Sequence, residues 1–365
     1  MEMFKEIDLS LLLSTAVLLV VGLLMVFSSS AMNAYREFGN EFYFFQRQLV
    51  WSVIGIVALL VTASVSFETL KKLIPLFYVV TLITLVLVLI PFIGHESGGA
   101  RRWLNFGIIG FQPSEFAKLA VISMCALYLT NQKLEQKNMV RDLFIISMLV
   151  MVMAFLIVLQ PDAGTAFHIA LLGFVMLLLA GFPYHYLFSL VALGVPMAGA
   201  AIFVSDYRRA RLISYLNPWG DPFDRGYHAI QTLRALSRGG MFGQGLGESL
   251  LKRGYLPEPF TDSIVAVLGE ELGFVGLVFV IGMLVVVIVR GFMISLQSSN
   301  SFDRILGVGL VFLIGFQSSL NLAVVGGLLP TTGVPMPLIS YGGSSLLVNM
   351  MAIGLLLNIS RRAKG

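Results

Sequence analysis

An acid stands at Thr261-Asp262, directly before a long apolar run. Either residue can cap the helix that such a run forms, and the helix dipole favours a carboxylate there. Two roles suit Asp262: a plain N-cap, or a general base ionised at neutral pH. Glu258 lies four residues upstream, but Pro257 and Pro259 prevent one continuous helix, so spacing alone does not pair the two carboxylates. Glu115 and Lys118 follow a helix start at Pro113-Ser114, and their i, i+3 spacing puts both charges on one face. At membrane depth such a pair is either a structural ion pair between spans or a functional site, where Lys118 could meet a phosphate. Asp162, in a Gln-Pro-Asp-Ala-Gly-Thr turn, divides the same way between helix cap and cavity-facing acid. Trp103, beside Arg101 and Arg102, either marks a membrane interface or stacks on a sugar ring. His168, on an apolar helix, reads as a packing histidine. Glycines at 239, 240, 243, 245 and 247 superficially suggest a nucleotide fingerprint. That fingerprint needs a preceding strand and a βαβ unit, so helix packing or a flexible loop is the better account. The chain carries no His/Cys metal spacing, no Gly-x-Ser-x-Gly elbow and no Walker lysine.

These residues need elements to hold them, and composition says which kind. Of 365 residues, 57% are hydrophobic and 12% charged, and the mean hydropathy is +0.89. Soluble domains are about 25% charged, so a soluble enzyme, a disordered chain and a nucleic-acid-binding domain are excluded. The net charge of +4 is no argument for DNA binding, and the single cysteine, Cys125, allows no intrachain disulfide. The chain reads as an all-α polytopic membrane protein, one domain over 1–365. Its ten apolar stretches are roughly 9–30, 48–67, 73–93, 114–130, 143–160, 164–182, 184–204, 264–289, 305–325 and 338–359. The first reads as an uncleaved span, and the fourth is the weakest because of Glu115 and Lys118. The segment 205–263 between spans seven and eight is polar and holds eight of the 24 basic residues.

Orientation follows from lysine and arginine in the connections. Lys5, Lys71, Lys72, Lys133, Lys137, Arg141, Arg290, Arg304, Arg361, Arg362 and Lys364 fall on one side, and Arg36, Arg47, Arg101 and Arg102 on the other. Eleven against four puts both termini in the cytoplasm and 205–263 outside. That loop is then basic and external, with Arg208, Arg209, Arg211, Arg225, Arg234, Arg238, Lys252 and Arg253, which points to an anionic ligand. The Gly/Pro-punctuated polar motifs crowd the same outer face.

Taken together, the motifs resemble the SEDS proteins (shape, elongation, division, sporulation), which include FtsW, RodA and SpoVE. Carrying segments are Arg102-Trp103 with Phe111-Gln112-Pro113-Ser114-Glu115 and Lys118; Gln160-Pro161-Asp162 with Gly164-Thr165; Leu256-Pro257-Glu258 with Thr261-Asp262; Gly269-Glu270-Glu271 with Gly273; and Pro337 through Ser344. The resemblance covers nearly the whole chain and leans toward FtsW-like members through Lys252-Arg253-Gly254-Tyr255. One departure is visible: the family usually has His before the Thr-Asp pair and an aromatic after it, where this chain has Phe260 and Ser263.

The resemblance implies a peptidoglycan glycosyltransferase that polymerises lipid II at the outer face of the bacterial cytoplasmic membrane. Asp262 would be the base, with Arg101, Arg102, Trp103, Glu115, Lys118, Asp162, Glu258 and Ser340 at the substrate. A divalent cation (magnesium or manganese) could share the diphosphate, held by Glu258, Asp162 or Asp262. The implied partners are a class B penicillin-binding protein and other divisome or elongasome membrane proteins, with no nucleic acid. Two competing readings are a lipid II flippase and a recruiting scaffold; an elongation rather than a division role also stays open. Against the flippase stand the absence of a visible repeat and the crowding of polar motifs on one face.

Overall fold

The computed structural model describes residues 7–97, 100–106, 109–131, 139–204, 206–224 and 226–364. Lys5, Lys133, Lys137 and Arg225, invoked above, lie outside the described residues. The helices are α1 (Leu9–Phe38), α2 (Tyr43–Ser64), α3 (Phe67–Leu89), α4 (Pro113–Asn131), α5 (Met139–Val158), α6 (Ala163–Leu179), α7 (Tyr184–Val204), α8 (Asp206–Leu216), α9 (Tyr227–Gly239), α10 (Ile264–Gln297), α11 (Ser301–Val325) and α12 (Gly343–Lys364). Seven of them (α1, α2, α3, α5, α10, α11 and α12) are long and apolar enough to cross a membrane, and α6 and the first part of α7 are shorter apolar helices. Many of their large apolar side chains face outward, such as Val20, Val57 and Val278, as a lipid-facing surface requires.

α4 escapes the hydropathy test because it sits at the centre. It packs against α3, α5, α6, α11 and α12, and nearly every side chain from Pro113 to Ser123 is buried. A helix shielded from lipid by protein can carry Glu115 and Lys118. The chain is not purely helical. Three short strands, β1 (Gly94–Ser97), β2 (Ala100–Phe106) and β3 (Ile109–Phe111), form an antiparallel sheet in that order between α3 and α4. Sequence patterning at 94–111 was too short and polar to announce it.

The polar motifs gather at one end of the bundle, which carries the small sheet, 206–224, 226–263 and 326–342, and there Arg211 and Tyr215 of α8 donate to the Thr331 and Leu328 carbonyls. α1 runs on past the apolar stretch to Phe38 and is stopped by Gly39 in a left-handed C-cap. Its last two turns therefore carry Asn33, Arg36 and Glu37 into this end. At the opposite end, Asp8 pairs with Arg290 and Asp303 with Arg362.

α10 is broken at Gly273, whose φ of 67° and ψ of −166° no helix tolerates. The glycine run 239–247 fills that break. Gln244 and Gly245 donate to the Glu270 and Glu271 carbonyls, and Phe274 and Val275 donate to Gly240 and Met241, at 2.9–3.1 Å. The orphan backbone groups of both half-helices are thereby satisfied. A Cβ on Gly243 would lie 2.1 Å from the Glu271 carbonyl oxygen, so close backbone approach is what the glycine provides. Packing, not phosphate binding, accounts for the run.

Candidate active site

Asp262 ends the polar segment one residue before the N-cap of α10. Its side chain is half-buried, and what anchors it is backbone. The Asn321 amide donates to the Asp262 carbonyl at 3.0 Å and to the Val334 carbonyl at 2.8 Å. Ser340 Oγ donates to the Thr261 carbonyl at 2.6 Å, and the Tyr341 N–H donates to the Phe260 carbonyl at 2.8 Å. Segment 334–341 is thus stitched along 260–262, leaving the Asp262 carboxylate, among the described residues, with one hydrogen bond. That bond comes from the Thr261 hydroxyl, which lies 3.2 Å from Asp262 Oδ1 and 3.3 Å from Glu258 Oε2. One hydroxyl therefore touches both carboxylates, the pairing that spacing could not predict. Glu258 reaches it from a left-handed backbone at φ 46°, a conformation costing on the order of 1–3 kcal/mol in a non-glycine residue. Burial first, then the charges of Asp262 and Glu37, hold the Glu258 carboxyl above the usual carboxylate range.

Glu258 opens onto a cleft of about 440 Å³, lined also by Asn33, Arg36 and Glu37 of α1 and by Pro259 and Phe260. Arg36 makes no ion pair among the described residues, so its charge faces the cleft. Phe260 packs against Phe44 and Tyr341, with ring centres 4.5 and 5.7 Å away. On the other side of Asp262, Ser263 Oγ lies 2.9 Å from His228 Nε2 of α9. Burial outweighs the nearby Asp262 charge and, with Arg211, holds His228 below its usual imidazole range, so it is neutral at pH 7. Its Nδ1 is buried without a partner among the described residues. The preceding histidine that the resemblance led one to expect is thus replaced by Phe260, while a different histidine approaches from α9.

The other residues singled out in the sequence fall elsewhere. Lys118 (1% exposed) and Glu115 (4%) face each other inside the bundle. Lys118 Nζ donates to both Glu115 oxygens at 2.8 and 2.9 Å and to Gln317 Oε1 at 3.3 Å. Gln317 in turn holds the Pro335 carbonyl and Ser345, one turn before Asn321. The ion pair therefore meets Asp262 only at second hand, through α11 and segment 334–335. Asp162 caps α6 by accepting from the Thr165 N–H and hydroxyl at 3.1 and 3.0 Å. Arg102 binds the Gln160 and Pro161 carbonyls and stands 4.0 Å from Asp162, locking the small sheet to the α5–α6 turn. Arg101 pairs across strands with Glu96 at 3.4 Å, and Trp103 covers Gly110. Ser340 is buried behind Thr261. Of the loop cations, Lys252 is consumed by buried Glu271 at 2.6 Å and Arg238 by buried Glu270 at 3.0 Å.

Sequence reasoning missed Arg36, Glu37, His228 and Asn321. Arg36 and Glu37 lie beyond the apolar stretch of α1, and only the extension of that helix delivers them. His228 and Asn321 sit on amphipathic or apolar helices with no motif signal. Among the described residues no group of three His, Cys, Asp or Glu side chains is arranged to hold a metal ion. The pair Glu258 and Asp262 offers hard oxygen donors of the kind magnesium accepts together with waters and substrate oxygens.

A lipid-facing helical bundle with a half-buried acid beside an open, mixed-charge cleft at one end defines an integral membrane protein equipped for acid–base chemistry near its surface. The chain belongs to the cell cycle protein family of FtsW, RodA and SpoVE, whose family model matches residues 9–365. It is 40% identical over 365 residues to the probable peptidoglycan glycosyltransferase FtsW of Geobacter sulfurreducens, covering 99% of this chain and 98% of the relative. It is 40% identical over 360 residues to stage V sporulation protein E of Bacillus subtilis, covering 98% of each. Among solved structures it superposes on the rod shape determining protein RodA of Thermus thermophilus with a TM-score of 0.73, 27% identity and 99% of each chain covered. It also superposes on a chain from a peptidoglycan synthase complex that coordinates polymerization and crosslinking, with a TM-score of 0.79, 29% identity and 99% of each chain covered.

Proposed function

We propose that the chain is a peptidoglycan glycosyltransferase that polymerises lipid II at the outer face of the bacterial cytoplasmic membrane. The observation that carries this is the Thr261 hydroxyl within 3.3 Å of both the Asp262 and Glu258 carboxylates, with Glu258 and Arg36 lining one open cleft beside them. Polymerisation needs a base at the acceptor hydroxyl and positive charge at the leaving diphosphate. The acceptor GlcNAc 4-hydroxyl attacks the anomeric carbon of the donor MurNAc from the face opposite the diphosphate. The new glycosidic bond forms as the bond to the diphosphate oxygen breaks, with inversion, and Asp262 takes the hydroxyl proton. Arg36 meets the diphosphate from the cleft wall. Arg101 and Trp103, on the small sheet, would meet the sugars rather than the reacting atoms. Glu258 and Asp262 would hold a magnesium or manganese ion, which when bound supplies charge neutralisation at the diphosphate.

In this arrangement the end bearing 205–263 faces outward and both termini face the cytoplasm. A class B penicillin-binding protein is the partner that crosslinks the product, and other division or elongation proteins gather with it. The test is purified protein with such a transpeptidase and labelled lipid II. Wild type forms glycan chains, and Asp262→Ala loses activity by about 10²- to 10⁴-fold. Its fold is retained, because Asn321 holds the Asp262 carbonyl rather than the carboxylate. Full polymerisation by Asp262→Ala overturns the assignment, and lipid II translocation without polymer in liposomes replaces it with the flippase.

A further inference from the structure

A second cleft, of about 390 Å³, opens on the other side of the strap 251–260. Its lining includes Gln231, Arg234 and Arg238 of α9 together with Leu250 and Tyr255. Gln231 is 6% exposed, yet its amide has no hydrogen-bond partner among the described residues. Its polar atoms are also not sealed from solvent, unlike those of the buried unpartnered groups elsewhere in the bundle. A buried amide of this kind that opens into a cleft is a donor–acceptor pair awaiting a ligand. Arg234 is exposed and makes no ion pair among the described residues, whereas Arg238 is committed to Glu270. Tyr255 is 52% exposed and offers a ring face with a polar tip.

The two clefts adjoin. Tyr255 lines the second and Glu258 the first, and three residues of chain span at most about 11 Å. Next to Tyr255, Gly254 at φ 107° also approaches the first cleft: an added Cβ there would lie 3.4 Å from the guanidinium of Arg36, which lines it.

We propose that the second cleft is a subsite for the glycan chain, holding an acetamido sugar one or more units away from the reacting carbon. The inference rests on the glycosyltransferase reading and deepens it. The Gln231 amide complements an acetamido group by paired hydrogen bonds, Arg234 meets a carboxylate borne by the chain, and the Tyr255 ring covers a sugar face. The strap would then separate the bond-forming cleft from a retaining cleft, and retention sets how many additions precede release.

The test uses the full chain with its transpeptidase partner in zwitterionic vesicles and in vesicles containing phosphatidylglycerol, with labelled lipid II. Gln231→Ala, Arg234→Ala and Tyr255→Ala each lose one contact, which multiplies dissociation about fivefold and shortens the median chain in proportion. Chain length falls more steeply than lipid II consumption, in both vesicle types. Unchanged length, or length and consumption falling together, overturns the subsite. A length effect confined to phosphatidylglycerol vesicles overturns it in favour of a lipid headgroup site. A second measurement keeps this separate from the transferase reading. Saturation-transfer NMR with a soluble N-acetylglucosamine tetrasaccharide on the Asp262→Asn protein shows contact that Gln231→Ala weakens about fivefold. If wild type makes no polymer, the transferase reading fails, and this binding measurement alone decides the subsite: no contact, or contact that Gln231→Ala leaves intact, overturns it.

Discussion

Glu115 and Lys118 can be separated experimentally into structural and substrate-binding roles. Their side chains are 6% and 2% exposed, and the ammonium touches both carboxylate oxygens. Among the described residues, Gln317 adds the one further hydrogen bond to the lysine. Removing one partner of such a buried pair leaves an uncompensated charge and costs about 3–5 kcal/mol. Glu115→Gln and Lys118→Met are both expected to destabilise by that amount. The double variant replaces the pair by an amide and an apolar chain of similar volume, and the loss shrinks to about 1–2 kcal/mol. The two single losses less the double loss leave a coupling energy of about 4 kcal/mol or more, well above the additive expectation for unconnected sites. Thermal unfolding of the four proteins in one lipid nanodisc composition measures the cycle. Lipid II turnover per folded molecule then gives the functional answer: the double variant retains activity within about tenfold, a barrier change of about 1.4 kcal/mol. A double variant that is folded but inactive would refute the structural account and return Lys118 to the substrate. Single variants as stable as wild type would refute the energetic argument itself.

Two further outcomes follow from the site and its support. Glu258 has a raised proton affinity, so the folded state binds its proton more readily than the unfolded chain and the ionised form opposes folding as pH rises. Glu258→Gln is therefore expected to raise thermal stability at pH 7.5 relative to pH 5, by less than about 1 kcal/mol because the group is solvent-screened, while lowering lipid II turnover. An equal change in melting temperature at both pH values would contradict this. Gly243→Ala forces a methyl group against the Glu271 carbonyl at a φ of 80°. It is expected to cost several kcal/mol and to yield little folded protein on size-exclusion chromatography, whereas Gly181→Ala, which meets nothing within 4 Å, leaves the yield far higher.

Composition and hydropathy determined the membrane class and the position of the long helices, because lipid forces every spanning segment to announce itself by its apolar run. The expected stretches for α4, α5, α6 and α7 fall within a few residues of the observed helices, whereas α2 and α3 begin five and six residues earlier than expected. The motifs located Asp262, and their order along the chain was enough for the family resemblance. Tertiary structure decided what each charge does. Asp162, Arg102, Glu115, Lys118 and Lys252 share residue types with a substrate site, yet they are spent on a cap, a turn, a buried pair within α4 and a buried carboxylate. Charge type is written in the sequence, but its partner is chosen across 58, 199 or 19 residues of separation by packing. The cleft itself is of that kind: Arg36 and Glu37 come from the end of the first helix and Glu258 from the far side of the chain. Their meeting depends on where α1 stops and how the strap folds back, and a hydrophobic pattern encodes neither.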